Sequence, residues 1–299
     1  MELPDLRQVR SLVAVAETES FTKAAERLHV TQSAVSHSIR ALETQLDCKL
    51  LERSGKRVAL SQHGMILVRR FRAALGELEK AGEELGVLKR WGQGRLRVGV
   101  THSLCSHMLP EVMREFKELY PRCEIHIESE DTQELIDILE RAEIDLVLGI
   151  GGRCPGWARF ERIFEDELVF VVSSSHPWAK LGEVPLAEVE KESFLVYARA
   201  SETYRLLKAS FEKSGAKLRP GLSLGDMEAI KEMAKVGLGV GIVAPWTARR
   251  EIASGELIAL PLGDKKFERE WGYFCYDSRH LSMVEEDFLR ISRNVTKAF

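Results

Sequence analysis

The chain has 299 residues, enough for two or three domains at roughly 100–200 residues each. With 44% apolar and 30% charged residues and no low-complexity tract, collagen-like, disordered and mucin-like classes are excluded. The net charge of −3 hides an asymmetry: residues 1–91 carry 15 basic against 12 acidic side chains and the remainder is acidic, so a polyanion would meet the N-terminal third.

Leu6, Val9, Leu12, Val13 and Ala16 recur at helical spacing and predict a first helix ending near Thr18. Ser20 is a candidate N-cap for a second helix through Ala24, Ala25 and Leu28, and Thr31 for a third carrying Val35, Ile39 and Leu42. Two short helices joined by about three residues make a helix-turn-helix. With Val35, Ile39 and Leu42 inward, the third helix turns Gln32, Ser33, Ser36, His37 and Arg40 outward. Small and hydrogen-bonding side chains suit a helix lying in a major groove; the alternative is a solvated polar face. Lys49–Arg53 and Arg57–Leu60, separated by Ser54-Gly55-Lys56, read as a hairpin wing. Lys49, Arg53, Lys56 and Arg57 would cluster there against phosphates or in a minor groove.

From Gly64 to Trp91 no proline interrupts, and Leu67, Phe71, Ala74, Leu78, Ala81, Leu85 and Leu88 repeat at alternating spacings of four and three. Such a seam points to a helix–helix dimer rather than to the wider stripe of a core helix. Gly76, Gly82 and Gly86 weaken this helix, and Gly92-Gln93-Gly94 reads as a hinge.

Beyond it the pattern alternates. Strands at Leu96–Val100, Glu124–Glu128 and Asp145–Ile150 enclose helices marked by Leu109, Val112, Met113, Phe116 and Leu119 and by Leu135, Ile138, Leu139 and Ala142, giving a parallel β-α-β-α-β unit. A second series contains Leu168–Val172, Phe194–Tyr197, a helix from Glu202 to Ser214, Gly221–Gly225, a helix from Met227 to Val236, and Val240–Val243. Glu270–Tyr276 and a helix with Val284, Phe288, Ile291 and Val295 are placed back on the first lobe, although the sequence alone does not establish that crossing.

Residues 20–43, Ser20-Phe21-Thr22-Lys23-Ala24-Ala25-Glu26-Arg27-Leu28 through Thr31-Gln32-Ser33-Ala34-Val35-Ser36-His37 to Leu42-Glu43, resemble the DNA-binding signature of the LysR-type transcriptional regulator family. Leu50–Arg53 with Leu60–Gly64 looks like the family's wing and exit into the linker helix. Asp145–Gly149, His176–Ala179 and Gly237–Pro245 resemble its effector-domain signatures, so the likeness covers the whole chain. His37 and Ser33 stand where many members carry Arg and Pro. The resemblance implies a winged helix-turn-helix over 1–62 and a dimerising linker helix over 63–91. It implies a two-lobed, periplasmic-binding-protein-like α/β effector domain over 92–299, with lobe I at 95–163 and 269–299 and lobe II at 164–268. It further implies a homotetramer on promoter double-stranded DNA, a small-molecule effector between the lobes, RNA polymerase as a candidate partner, no cofactor and no catalysis; the cysteine usage points to a cytoplasmic setting. Gln32, Ser33, Ser36 and His37 are then the base readers, with Arg40 beside them; Thr31, Arg53, Lys56 and Arg57 hold the backbone or minor groove.

In open α/β sheets ligands bind beyond the carboxyl ends of strands. Thr101-His102-Ser103, Ser129–Thr132 and Gly149–Gly152 meet that rule in the first lobe, and Arg199, Ser201 and Thr203 in the second. The candidate effector set is Thr101, His102, Ser103, Asp131, Thr132, Gly149, Arg199, Ser201, Met227 and Pro245. Helix-start N–H groups near Thr101 and a bidentate Arg199 point to a small organic anion. Capping by the hydroxyls and plain solvation of Arg199 are the alternatives.

Other chemistries fit less well. Cys48, Cys105, Cys123, Cys154 and Cys275 are odd in number and form no CxxC pair, against a disulfide framework or zinc ribbon. His102, Cys105 and His107 do not share one helical face and lack a fourth metal ligand. Cys105 near a helix start is a candidate redox sensor, yet has no resolving partner nearby in sequence. Gly237-Leu238-Gly239-Val240-Gly241 opens a strand after a helix, the reverse of a dinucleotide fingerprint. No nucleophile elbow or triad order supports an enzyme, and a solute-binding protein would not carry a helix-turn-helix. No apolar run reaches 18 residues and the start is acidic, so neither membrane span nor secretory signal is expected.

Overall fold

The structure is a computed structural model describing residues 3–54, 57–89, 94–214, 217–261 and 266–299. It divides into two compact units.

The N-terminal unit begins with α1 (Leu6–Thr18), α2 (Phe21–Leu28) and α3 (Gln32–Leu46). Asp5, Ser20 and Thr31 cap them, each side-chain oxygen accepting from an N–H of the first turn. Val35, Ile39 and Leu42 are buried, the first two against Ala14, Val15, Ala24 and Ala25, so the turn is fixed by small alanines that let the helices approach. Strands β1 (Leu51–Ser54) and β2 (Arg57–Leu60) pair antiparallel as the wing. Glu43 ties α3 to it: Leu50 N donates to its Oε1 at 2.9 Å, and Lys49 Nζ donates to its Oε2 at 3.2 Å. Helix α4 (Gln62–Lys89) follows. Gly64 is required there, because a Cβ would stand 2.1 Å from the Leu50 carbonyl oxygen. Val68 and Phe71 close a core with Val9, Leu12, Val13, Leu42 and Leu50.

The second unit is mixed α/β. Strand β3 (Arg95–Val100), helices α5 (His102–His107) and α6 (Leu109–Leu119), β4 (Glu124–Glu128), α7 (Thr132–Glu140) and β5 (Leu146–Ile150) make the first parallel set, with β3 between β4 and β5. Helix α7 stops before Ala142, which lies at φ 56 outside the helix expected to include it. Strand β6 (Ala158–Ser173) is one 16-residue strand where the sequence predicted only its last third. After a 3₁₀ turn at Pro177–Lys180 come α8 (Leu186–Val189), β7 (Phe194–Tyr197), α9 (Glu202–Ser214), β8 (Pro220–Leu224), α10 (Met227–Lys235) and β9 (Val240–Val243). A second 3₁₀ turn, Pro245–Thr247, leads to α11 (Arg249–Ser254), β10 (Leu257–Leu260), β11 (Phe267–Tyr276) and α12 (Met283–Thr296).

Among the described residues, strands β4-β3-β5-β11-β6-β9-β7-β8 run in hydrogen-bonded order, with β10 also on β6. The two parallel sets are joined by antiparallel neighbours: β11 pairs with both β5 and β6, and β6 continues to β9 and β10. Thus β6 leaves the first lobe for the second and β11 returns. Helix α12 then packs on α6, with Phe288 edge-on to Phe116 and Tyr120 Oη donating to Asp287 Oδ2 at 2.6 Å. The return that the sequence left open is made.

Candidate nucleic-acid interface and effector cleft

On α3, Gln32, Ser33, His37 and Arg40 are exposed and Ser36 is half-buried. Thr31 Oγ1 accepts from Ala34 N at 3.2 Å and lies 3.0 Å from Ser33 Oγ, so the cap also orients the first outward hydroxyl. The expected reading face is therefore solvent-facing and polar over its N-terminal half. Arg53 and Arg57 sit on the wing strands, opposite Val58 and Ser54 respectively; their side chains and all of Lys56 lie outside the described residues. Lys49, grouped with them in the sequence, is partly neutralised by Glu43.

In the second unit a cavity of about 170 Å³ lies between the lobes. It receives Thr101, His102, Ser103 and Asp131 from lobe I and Ser201 and Met227 from lobe II. Thr203 and Glu130, both within the segments the strand-end rule selected, join them, as do Tyr197, Trp271 and Glu134, which the sequence reading did not offer. Tyr197 was within reach of the strand-end rule, since it ends β7. Trp271 was not, because it enters only through the return of β11. Thr132, Gly149, Arg199 and Pro245 are outside the wall. Thr132 Oγ1 accepts from Ile150 N at 3.1 Å, and a Cβ on Gly149 would come 2.9 Å from that oxygen, so these two clamp β5 onto α7. Arg199 is exposed while its neighbours Ala198 and Ala200 line the cavity. Pro245 opens the second 3₁₀ turn and is exposed.

The cavity's polar groups divide by depth. Thr101, Tyr197 and Trp271 are buried, and Thr101 Oγ1, Tyr197 Oη and Trp271 Nε1 have no hydrogen-bond partner among the described residues. Buried polar atoms are almost always satisfied in folded proteins, so three orphans in the lining of one cavity mark a place where something else supplies the bonds. Burial raises the Tyr197 phenol above its ordinary range and keeps it neutral, while the Arg269 charge first and the nearby Ser103 hydroxyl second act the other way. Behind the wall, Arg269 Nε donates to Asp166 Oδ1 at 2.9 Å and Nη1 to Thr203 Oγ1 at 3.0 Å, and its guanidinium lies 4.9 Å over the Trp271 ring. The outer part is acidic. Glu130, Asp131 and Glu134 face it, His102 is held by Ser129 at 3.0 Å, and no Lys or Arg lines the cavity among the described residues. Asp131 Oδ1 accepts from Glu202 N across the lobes at 3.3 Å, and burial pushes its carboxyl above the ordinary range. The lining thus carries three carboxylates, with Arg269 as the cation behind it, and Arg199, offered in the sequence for an organic anion, stands outside the wall.

His107 and Cys105 do not form a metal site with His102: no cluster of three such ligands occurs among the described residues. His107 Nε2 instead meets Glu228 Oε1 of the other lobe at 3.2 Å, and Cys105 packs half-buried against the main core.

Residues 6–65 match the family described as the bacterial regulatory helix-turn-helix protein, lysR family, and residues 91–297 match the LysR substrate binding domain. The chain belongs to the LysR family. It is a DNA-binding transcriptional regulator with an effector-binding domain, in a family of regulators rather than enzymes. It is 30% identical over 272 residues to the RuBisCO operon transcriptional regulator of Allochromatium vinosum, covering 91% of this chain and 89% of that one. It is also 30% identical over 283 residues to the regulator CfxR of Cupriavidus necator, covering 94% and 88%. The fold matches that of ArgP from Mycobacterium tuberculosis with a TM-score of 0.78 at 21% identity, covering 100% of this chain and 99% of that one. A full-length OxyR variant from Pseudomonas aeruginosa gives 0.75 at 19%, covering 99% and 96%. No helix among the described residues of this LysR-family chain is long and apolar enough to cross a membrane.

Proposed function

We propose that this LysR-family regulator reads promoter DNA with Gln32, Ser33, Ser36, His37 and Arg40, steadies itself on the backbone or minor groove with Thr31, Arg53, Lys56 and Arg57, and changes its DNA contacts when a small molecule occupies the cleft between its lobes. In this reading 1–62 is the DNA-binding domain, 63–91 the dimerising linker and 92–299 the effector domain. The active form is a cytoplasmic homotetramer that meets RNA polymerase at the promoter. The observation that carries the reading is the exposed, polar N-terminal half of α3, presented by a helix whose other face buries Val35, Ile39 and Leu42. Such a surface matches base edges in a major groove and gives nothing for a protein core to hold.

The test is a gel-shift titration on DNA from upstream of the protein's own gene, at several salt concentrations. Binding should weaken as salt rises, because each neutralised phosphate releases counterions. His37→Ala should cost about 1–3 kcal/mol on the specific site and little on random DNA; Arg53→Ala should weaken both similarly and lower the salt slope by about one. Absence of any specific retardation overturns the reading, and equal losses on specific and random DNA for both variants overturn the division of roles.

A further inference from the structure

Resting on the proposal that the inter-lobe cleft takes the effector, we infer that its effector is a small zwitterion of the amino-acid type, seated with its carboxylate on Thr101, Tyr197 and Trp271 and its ammonium toward Glu130, Asp131 and Glu134.

The inner wall argues for the first half. Trp271 Nε1 can only donate, and the Thr101 and Tyr197 hydroxyls can both donate; all three belong to buried residues and lack partners among the described residues. The ligand end that satisfies three donors at once is an oxygen pair with several lone pairs. A carboxylate has two oxygens and about four acceptor sites. No acidic side chain belongs to this inner group, and the Asp166 carboxylate behind it is already engaged by Arg269.

The outer wall argues for the second half. A purely anionic ligand would bring its charge beside three carboxylates with no lysine or arginine in the lining to offset it, whereas an ammonium converts that repulsion into attraction. Asp131, half-buried and with its carboxyl raised by burial, has the most to gain from a neighbouring cation. His102 sits at this rim near Glu130, 4.0 Å away, and leaves the acidic excess in place. A cavity of about 170 Å³ is far larger than the 10–15 Å³ of such volume that one water needs, yet small for a nucleotide or a sugar phosphate.

The experiment is thermal unfolding of the full chain with L-alanine, L-serine, L-lysine and L-glutamate, the first two beside partners lacking one charge: lactate and glycerate keep only the carboxylate, ethylamine and ethanolamine only the ammonium. At least one amino acid should raise the effector-domain transition while the single-charge partners at the same concentration do not. Thr101→Val and Trp271→Phe should each weaken that amino acid roughly tenfold or more, as expected for a lost hydrogen bond to a charged group. Glu130→Gln with Glu134→Gln, both exposed and harmless to folding, should shrink the preference for the amino acid over its hydroxy acid. A shift from lactate or glycerate equal to that from the amino acids overturns the zwitterion and leaves the effector cleft standing. No shift from any amino acid likewise overturns it. Loss of specific DNA retardation is the separate failure that would remove the regulator reading itself.

Discussion

His107 shows how a single side chain couples the lobes to pH. Its ring, half-buried in α5, meets Glu228 of α10 at 3.2 Å and stands edge-on to Trp246 at 5.7 Å. Lys231, buried behind Glu228, donates to Thr247 O at 2.8 Å and to Glu251 Oε1 at 2.9 Å. Burial first and the Lys231 charge second hold the His107 imidazole below the ordinary 6.5, and Glu228 only partly opposes them. In the window below 6.5 the unfolded chain therefore takes up the proton more readily than the folded one, so this residue's contribution is complete above 6.5 and is lost as pH falls through the lower folded value. Effector-domain melting followed from pH 7 to pH 5 should fall less steeply in His107→Gln than in the parent. Parallel curves for the two proteins would show that the contact with Glu228 keeps the imidazole as protonatable as in water.

Strands β6 and β11 set the relation of the lobes, and Asp166 and Arg269 lie directly opposite each other where the two strands cross between them. Arg269 Nη2 donates to Asp166 Oδ2 at 2.5 Å, Trp246 Nε1 donates to the same oxygen at 2.8 Å, and both charged side chains are almost wholly buried. Removing one member strands the other charge in a low-dielectric site, so Asp166→Ala should lower effector-domain stability by about 3–5 kcal/mol in urea unfolding, with Asp166→Leu plus Arg269→Met recovering most of it. If the single and double variants lose equally, packing and not the unpaired charge accounts for the cost. These same strands mark how far the sequence was legible. The helices of the first unit and the short buried strands announce themselves through local caps and apolar runs, as at Ser20, Thr31 and Leu146–Ile150. The first ten residues of β6 do not: Phe160, Ile163 and Phe164 fall at helix-like spacing, and their strand character comes from pairing with β11 about a hundred positions later. Trp271 reaches the cleft by that pairing, which is why strand-end reasoning recovered Thr101 and Asp131 yet missed it. Arg199 failed for a smaller reason. Alternation along the loop after β7 gave the wall to Ala198 and Ala200 and left the arginine in solvent.

At the scale of the whole molecule the unspent feature is the apolar surface of α4. The repeat of apolar positions along this helix is used in two ways: Phe71 is consumed by the first unit's own core, with Leu67 half-buried against it, whereas Ala74 is exposed and Leu78 stays 57% exposed. Met65 and Ile66 at the start of the helix are also more than half exposed. A 28-residue helix with large aliphatic side chains in water and an a/d rhythm gains by seating them on a second copy, since burying each one contributes about 1.5–3 kcal/mol. Gly76 has nothing within 4 Å of where a Cβ would stand, so no close approach among the described residues explains it. Leu78→Glu tests the pairing without harming the helix, because leucine and glutamate have similar helix propensity and the position is exposed in the single chain. In a two-fold pair the change brings a charge into an apolar seam in both copies. Sedimentation should then show the variant dissociating at concentrations where the parent stays associated, with unchanged helical content by circular dichroism. Specific DNA binding should fall at least tenfold, because a lone helix-turn-helix loses the second half-site and the effective concentration that linkage provides. A variant that sediments and binds DNA as the parent does would place the dimer contact elsewhere on the chain and leave the exposed Leu78 without a role in assembly.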